Sequence, residues 1–381
     1  MRRVYSIADN IVSPLGLESK DNWDNIVKGI SGVRSNSILS IHSKSFFASL
    51  LDEEVVTDAL REHTSVNGYT KLEKMFILSI LNATKQCDVD LTSARTLFVF
   101  ATTKGNIDLL GKGASNSYPT TRIGLAAMAK HVTSLFGNPN NPLVISNACT
   151  SGVLALITSG YYIKENSYDK VVVTGGDIIS EFTFSGFHCL QALSQGICKP
   201  FDKNRDGINL GEACATVVLS GNPTPSSIEL KAGATSNDAN HISGPSRTGE
   251  GLFRAITNAL SYSHTSHTEI GYTSAHGTAT PYNDEMEARA FYSAGLEQAP
   301  VNSLKGYFGH TLGAAGILET IMAMWAMKKE LIIASKGYTE NGVSVPLQVV
   351  KENTAKKINK CLKTASGFGG CNAALLLEKN D

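Results

Sequence analysis

Two stretches of this chain share one form, in which small residues lead into a run that is apolar on most sides. In the first, the apolar Val144-Ile145 passes through Ser146-Asn147-Ala148-Cys149-Thr150-Ser151-Gly152 into Val153, Leu154, Leu156 and Ile157. In the second, His310-Thr311-Leu312-Gly313-Ala314-Ala315-Gly316-Ile317-Leu318 opens a run to about Lys329. A helix apolar nearly all round is a buried helix, and small residues let two such helices approach closely. The echo therefore predicts two similar halves packed central helix against central helix, with Cys149 and His310 at one end of a shared core.

The first stretch reads as strand, tight turn and helix, with the Cys149 thiol at the helix's first turn. Unpaired N–H groups and the helix dipole put partial positive charge there. Such a position stabilises a thiolate and predicts a depressed pKa and a nucleophilic sulfur. The competing role is that of a small core residue, since free cysteine is often buried.

The rest of the chain follows an α/β pattern, with strand-like runs alternating with helical ones. Strands are predicted over Thr96 to Ala101, Pro142 to Ser146, Lys170 to Thr174 and Ala215 to Leu219, and helices over Lys71 to Lys85, Thr121 to Phe136 and Ser151 to Glu165. Asp206-Gly207 reads as a hairpin turn entering the strand at Ala215. The clearest punctuation, Gly221-Asn222-Pro223-Thr224-Pro225, divides the chain into units of residues 1–225 and 226–381.

Composition excludes several function classes. With 381 residues and 42% hydrophobic content the chain can bury a large core. Its 34 basic and 34 acidic residues cancel, so no global field attracts nucleic acid or an anionic membrane. The cysteines, at Cys87, Cys149, Cys189, Cys198, Cys214, Cys361 and Cys371, are odd in number and scattered, which predicts neither a disulfide framework nor a zinc site and points to a cytoplasmic setting. No apolar run is long enough for a membrane span, and the N-terminus lacks the apolar segment of a secretory signal.

Three more segments set polar groups among small residues: Ser274-Ala275-His276-Gly277-Thr278-Ala279-Thr280-Pro281, Ser303-Leu304-Lys305-Gly306-Tyr307-Phe308-Gly309-His310, and Ala365-Ser366-Gly367-Phe368-Gly369-Gly370-Cys371-Asn372. Each alone has an ordinary structural explanation. Together with Cys149 they supply a thiol nucleophile, two imidazoles and a glycine-rich N–H donor, the complementary parts of thioester chemistry.

On these motifs, with Ile11-Val12-Ser13-Pro14-Leu15-Gly16 and Lys199-Pro200-Phe201-Asp202-Lys203-Asn204-Arg205-Asp206-Gly207, the chain resembles the elongating Cys-His-His class of β-ketoacyl-acyl carrier protein synthases, of the thiolase superfamily. The likeness spans nearly the whole chain. It implies a thiolase-like α/β fold of two pseudo-symmetric halves in five layers, α-β-α-β-α. It also implies that Cys149 takes an acyl group as a thioester and that His276 and His310 hold malonyl-acyl carrier protein while carbon dioxide is lost. The enolate then attacks the acyl-enzyme, whose oxyanion meets the N–H groups of Cys149 and Phe368. By the same resemblance Lys305 and Glu319 organise charge around the histidines, Thr278 and Thr280 bind the phosphopantetheine arm, and Phe368 gates the acyl chain. The implied assembly is a homodimer served by an acyl carrier protein, with no metal or soluble cofactor.

Departures bear on the acyl chain. Lys104, in Ala101-Thr102-Thr103-Lys104-Gly105-Asn106, stands where relatives line the acyl tunnel with apolar residues, and a saturated chain would not welcome its charge. Lys104 is expected to turn to solvent in preference to the pocket, and Phe187 is a candidate pocket residue. Ser146-Asn147, Thr364-Ala365-Ser366 and Cys371 replace commoner family residues, and the region between Leu110 and Tyr118 looks shortened. Alternatives are the ketosynthase subunit of a specialised polyene or polyketide heterodimer and a degradative thiolase using Cys371 as its base. A noncatalytic chain-length partner would lack Cys149, and a papain-like hydrolase would not have the doubled α/β pattern.

Overall fold

The computed structural model describes residues 2–38, 40–111, 118–238 and 243–379, so most of the apparently shortened region after Leu110 lies outside the described residues. The first half runs β1 (Tyr5–Val12), α1 (Lys71–Thr84), β2 (Thr96–Ala101), α2 (Leu125–Ser134), β3 (Leu143–Ile145), α3 (Ser151–Lys164), β4 (Lys170–Asp177) and β5 (Ala213–Ser220). The second repeats that order with β6 (Ile228–Asn237), α4 (Glu250–Tyr262), β7 (Tyr272–Ser274), α5 (Pro281–Ser293), β8 (Val301–Asn302), α6 (Ala315–Lys329), β9 (Lys360–Gly367) and β10 (Cys371–Lys379).

Strand order repeats as well. It is β3-β2-β4-β5-β1 in one half and β8-β7-β9-β10-β6 in the other, each with one strand, β5 or β10, antiparallel to the other four. The two ladders join where Tyr5 and Ser6 of β1 pair with Glu229 and Ile228 of β6. Helices α3 and α6 touch strands of both ladders, α1 and α2 cover the outer face of the first, and α4 and α5 cover that of the second. The result is five layers, α-β-α-β-α.

The middle layer explains why α3 and α6 carry no polar face. Both pack apolar side chains against strands on two sides, so Val153, Leu156, Ile317, Ile321 and Met324 share one core with Val99, Val173, Val217 and Leu375. By contrast α1 is an outer helix with a start signal of its own, a capping box between Thr70 and Glu73. The central pair meets backbone to backbone: a Cβ on Gly316 would lie 2.4 Å from Val153 N, and one on Gly152 would lie 2.8 Å from Ile317 N.

Two local expectations differ from the fold. The helix expected from Thr121 to Phe136 is a 3-10 turn over Thr120–Ile123 followed by α2, the break falling at Gly124. Asp206-Gly207 does not turn a hairpin. Gly207 has φ +146, Asp206 accepts from Ser194 Oγ at 2.6 Å, and Ile208 bridges Leu193 in parallel, so side-chain bonding turns this segment into a loop.

Because the helix crossing leaves no room for a side chain, Gly316→Ala is expected to destabilise the protein by about 1–3 kcal/mol through overpacking. Thermal denaturation checks this, and an unchanged melting temperature would contradict the close approach.

Candidate active site

The turn between β3 and α3 presents Cys149. Ala148 is held at φ +46, a strained conformation for a residue with a Cβ. Asn147 N donates to Ser151 Oγ at 2.8 Å, and Ser151 Oγ donates to Ala148 O at 2.6 Å, which fixes the turn. Thr150 caps α3, so Cys149 lies just outside the helix and not in its first turn as expected. The loop after β9 closes over it so tightly that a Cβ on Gly367 would lie 3.0 Å from Cys149 N. The next N–H, that of Phe368, favours negative charge on the sulfur.

Both histidines come from the second half. His276 follows β7, where its N–H and that of Gly277 donate to the buried Glu287 on α5 at 2.9 and 2.6 Å. His310 precedes α6 and is clamped by the first half: its N–H donates to Asn209 O at 2.7 Å, and its carbonyl accepts from Gly211 N at 3.0 Å. That clamp needs Gly309, at φ +67, because a Cβ there would lie 2.5 Å from Leu210 O.

The helix crossing brings these pieces together. The imidazole centroids are 5.2 Å apart at 84°, and the Cys149 sulfur lies within 4.8 Å of a nitrogen of each ring. All three line a cavity of 520 Å³ together with Phe187, Thr278, Thr280 and Phe368. His276 Nδ1 and both nitrogens of His310 are buried with no partner among the described residues. Orphaned groups of this kind call for a ligand oxygen, since an unpaired buried polar atom is costly.

Beneath the imidazoles lies a charge cluster. Lys305, wholly buried, sets Nζ 2.5 Å from Glu319 Oε1, and the equally buried Lys363 sets its Nζ 2.7 Å from Glu319 Oε2. The second contact is an ion pair without hydrogen-bond angles, as Oε2 makes no hydrogen bond. Burial, then the Lys305 charge, push both imidazoles well below the usual histidine range, so they are neutral at neutral pH.

Burial pushes the Cys149 thiol up to about 11, while the Lys305 and Lys104 charges and the Phe368 N–H act the other way. This corrects the depressed pKa expected from the sequence. Desolvation of the thiolate outweighs a helix terminus that the sulfur does not enter.

The remaining candidates divide. Thr278 and Thr280 pair their hydroxyls at 2.8 Å on the cavity wall. Phe187 stands 5.7 Å from Phe368, ring centroid to centroid, and 6.5 Å from His310. Lys104 is not on the wall of this cavity. Nor does it simply turn to solvent: it is half-buried, its Nζ is 3.0 Å from Thr103 Oγ1, and its charge acts on both Cys149 and His310.

Three positions that organise the site's surroundings were not singled out from the sequence. Asp177, at the end of β4, accepts from Thr103 N at 2.9 Å and Gly313 N at 2.7 Å, tying the Lys104 loop to the start of α6. Glu287 and Lys363 are the other two. The available signal was a charge inside an apolar strand, as in Cys361-Leu362-Lys363-Thr364-Ala365 and Val171-Val172-Val173-Thr174-Gly175-Gly176-Asp177.

Cys149, His276 and His310 also form a donor set that a zinc ion could use. The ammonium groups of Lys305 and Lys363 beside them oppose a dication. A neutral thiol beside two neutral imidazoles can instead pass its proton to nitrogen as it attacks, and the imidazoles can donate to a carbonyl oxygen.

Comparison with known proteins follows the same lines. Family models described as the β-ketoacyl synthase N-terminal and C-terminal domains match residues 81–223 and 228–339. The chain is 26% identical to 3-oxoacyl-acyl-carrier-protein synthase 2 of Vibrio harveyi over 99% of each chain. It is 32% identical to the tetracenomycin polyketide synthase ketoacyl synthase alpha subunit of Streptomyces glaucescens over 62% of this chain and 59% of that one. Among solved structures, a ketosynthase in complex with its chain length factor from Xenorhabdus doucetiae superposes with TM-score 0.86 at 24% identity, over 100% of this chain and 98% of that one.

A thiol with a pKa near 11 gains thiolate about tenfold per pH unit below that value. Alkylation of Cys149 by iodoacetamide is therefore expected to accelerate steadily from pH 7 to 9. A rate already level at pH 7 would mean a depressed pKa.

Proposed function

Since the chain belongs to the β-ketoacyl synthase family, we propose that it is a 3-oxoacyl-acyl carrier protein synthase, an acyltransferase that condenses an acyl group on Cys149 with malonyl-acyl carrier protein. The observation that carries this reading is the meeting of one thiol with two neutral, unpartnered imidazoles in a single cavity. In the first half-reaction Cys149 sulfur attacks the acyl thioester of the carrier, its proton passes to an imidazole, and the carrier thiol leaves with a proton. In the second, the malonyl carbon–carbon bond to its carboxylate breaks, carbon dioxide departs, and the electron pair forms an enolate whose oxygen accepts from His276 and His310. The enolate carbon attacks the acyl carbonyl, whose oxygen accepts from the N–H groups of Cys149 and Phe368. The tetrahedral carbonyl then reforms and expels Cys149 as a thiolate, which takes up one proton from solvent to restore the thiol, and 3-oxoacyl-acyl carrier protein is released.

The other roles follow from placement. Thr278 and Thr280 on the cavity wall suit the amide-bearing pantetheine arm, which arrives with the carrier, so turnover requires no metal or soluble cofactor. Lys305 and Glu319 organise charge beneath the histidines, while Phe368 against Phe187 gates the acyl chain. Residues 1–225 form the unit with the nucleophile and residues 226–381 the unit with both histidines. Among the described residues the outer edge of β3 has no strand partner, and its half-burial supports a homodimer formed through that strand. Among the described residues no helix is long and apolar enough to cross a membrane, and the free cysteines support a cytoplasmic setting.

Two observations favour a second reading within the same chemistry, the ketosynthase subunit of a polyene or polyketide heterodimer. The Lys104 charge close to Cys149 disfavours a long saturated chain, and the Xenorhabdus doucetiae relative is paired with a chain length factor. A degradative thiolase is disfavoured because Cys371 Sγ is engaged with Asn147 Oδ1 at 3.1 Å and does not line the cavity.

Cys149→Ala is expected to abolish condensation and leave malonyl decarboxylation measurable. His276→Ala and His310→Ala should each slow decarboxylation by about 10²–10³-fold. Loss of both activities in folded Cys149→Ala would overturn this division of labour. Mass analysis of products from a series of acyl carrier proteins distinguishes the pathways, since extension of only acetyl or short unsaturated starters would defeat the bulk-elongation reading.

A further inference from the structure

Lys363 sits in the middle of β9, wholly enclosed, with three N–H bonds for three backbone carbonyls: Ser274 O at 3.3 Å, Ala275 O at 3.2 Å and Thr364 O at 2.7 Å. Glu319 Oε2 lies against it at 2.7 Å. A nitrogen surrounded by four oxygens has no use for a lone pair, so it is an ammonium. Burial, with the Lys305 charge, brings its pKa below the usual lysine value against the opposing pull of the Glu319 and Glu287 charges.

The carbonyls identify what it joins. Ala275 immediately precedes His276, and Thr364 lies on the strand that ends at the Phe368 N–H, so Lys363 ties the histidine loop to the loop that closes over Cys149. Its charge is also needed for balance. Under the imidazoles lie two carboxylates, Glu319 and Glu287, the latter accepting from His276 N, Gly277 N, Asn283 Nδ2 and Thr364 Oγ1. Lys305 can offset one of them. Without Lys363 the enclosed cluster would carry a net negative charge next to the point where an enolate must form, and in a desolvated site such a charge acts at nearly full strength.

We propose that Lys363 is a positioning residue whose ammonium keeps the cluster beneath His276 and His310 from becoming anionic, so that the site accepts negative charge on the thioester oxygen. The decarboxylation half of this inference rests on the function proposed above. The local potential does not, and it can be read directly at Cys149.

The test compares alkylation of Cys149 by iodoacetate and by iodoacetamide in the full-length protein, at one pH and ionic strength. The ratio of the two rates reports the potential at the sulfur, because only the first reagent is charged. Lys363→Met is expected to lower the ratio about 3- to 10-fold. Adding Glu319→Gln removes one negative charge and should return the ratio towards the wild-type value. Glu319→Gln alone should raise it, which keeps the proposal falsifiable if Lys363→Met does not fold. A purely structural lysine predicts instead that the double variant is no better than Lys363→Met.

In parallel, malonyl-acyl carrier protein decarboxylation should fall about 10- to 100-fold in Lys363→Met and partly recover in the double variant. A ratio indifferent to these substitutions overturns the role of Lys363. A wild-type protein that shows the expected ratios but never decarboxylates malonyl-acyl carrier protein overturns the proposed function and leaves Lys363 standing.

Discussion

The contact on which the rest of the molecule depends is the crossing of α3 and α6 at Gly152 and Gly316, where backbone meets backbone with no space for a Cβ on either side. It brings two halves of like topology into one body and superimposes the starts of their central helices. Cys149 precedes one start and His310 precedes the other, so the sulfur and that imidazole meet because the helices do. A larger separation of the axes, as ordinary apolar side chains would impose, would part the sulfur from the imidazoles by several ångströms.

Around that crossing each half completes the other. His310 belongs to the second half but is clamped by the backbone of residues 209–211, and Gly313 at the head of α6 donates to Asp177 of β4. In the opposite direction, Gly367 and Phe368 of the second half close over Cys149 of the first. These backbone and carboxylate contacts fix each half's contribution to the cavity wall against the other half.

Enclosure also sets the chemistry. The same burial that pushes the thiol up to about 11 drives both imidazoles below their usual range, leaving three neutral groups over a cluster of fixed charges. Below them, Lys305 and Lys363 pair with Glu319, and Glu287 is held by the N–H groups of His276 and Gly277.

The chain's pattern determined what can be read from local chemistry. The apolar, small-headed runs at Gly152 and Gly316 foretold two buried helices, the alternation of runs foretold layered α/β halves, and Cys149, His276, His310 and Phe368 stood out by residue type in glycine-rich surroundings. Tertiary structure alone decided the protonation of the thiol, the inward charge of Lys104, the loop at Asp206, and the parts played by Asp177, Glu287 and Lys363. Each of those outcomes depends on how much water is excluded and on which distant carboxylate, ammonium or carbonyl fills the space. Sequence neighbours carry no record of either quantity, because desolvation and charge pairing are set by groups brought together only when the chain has folded.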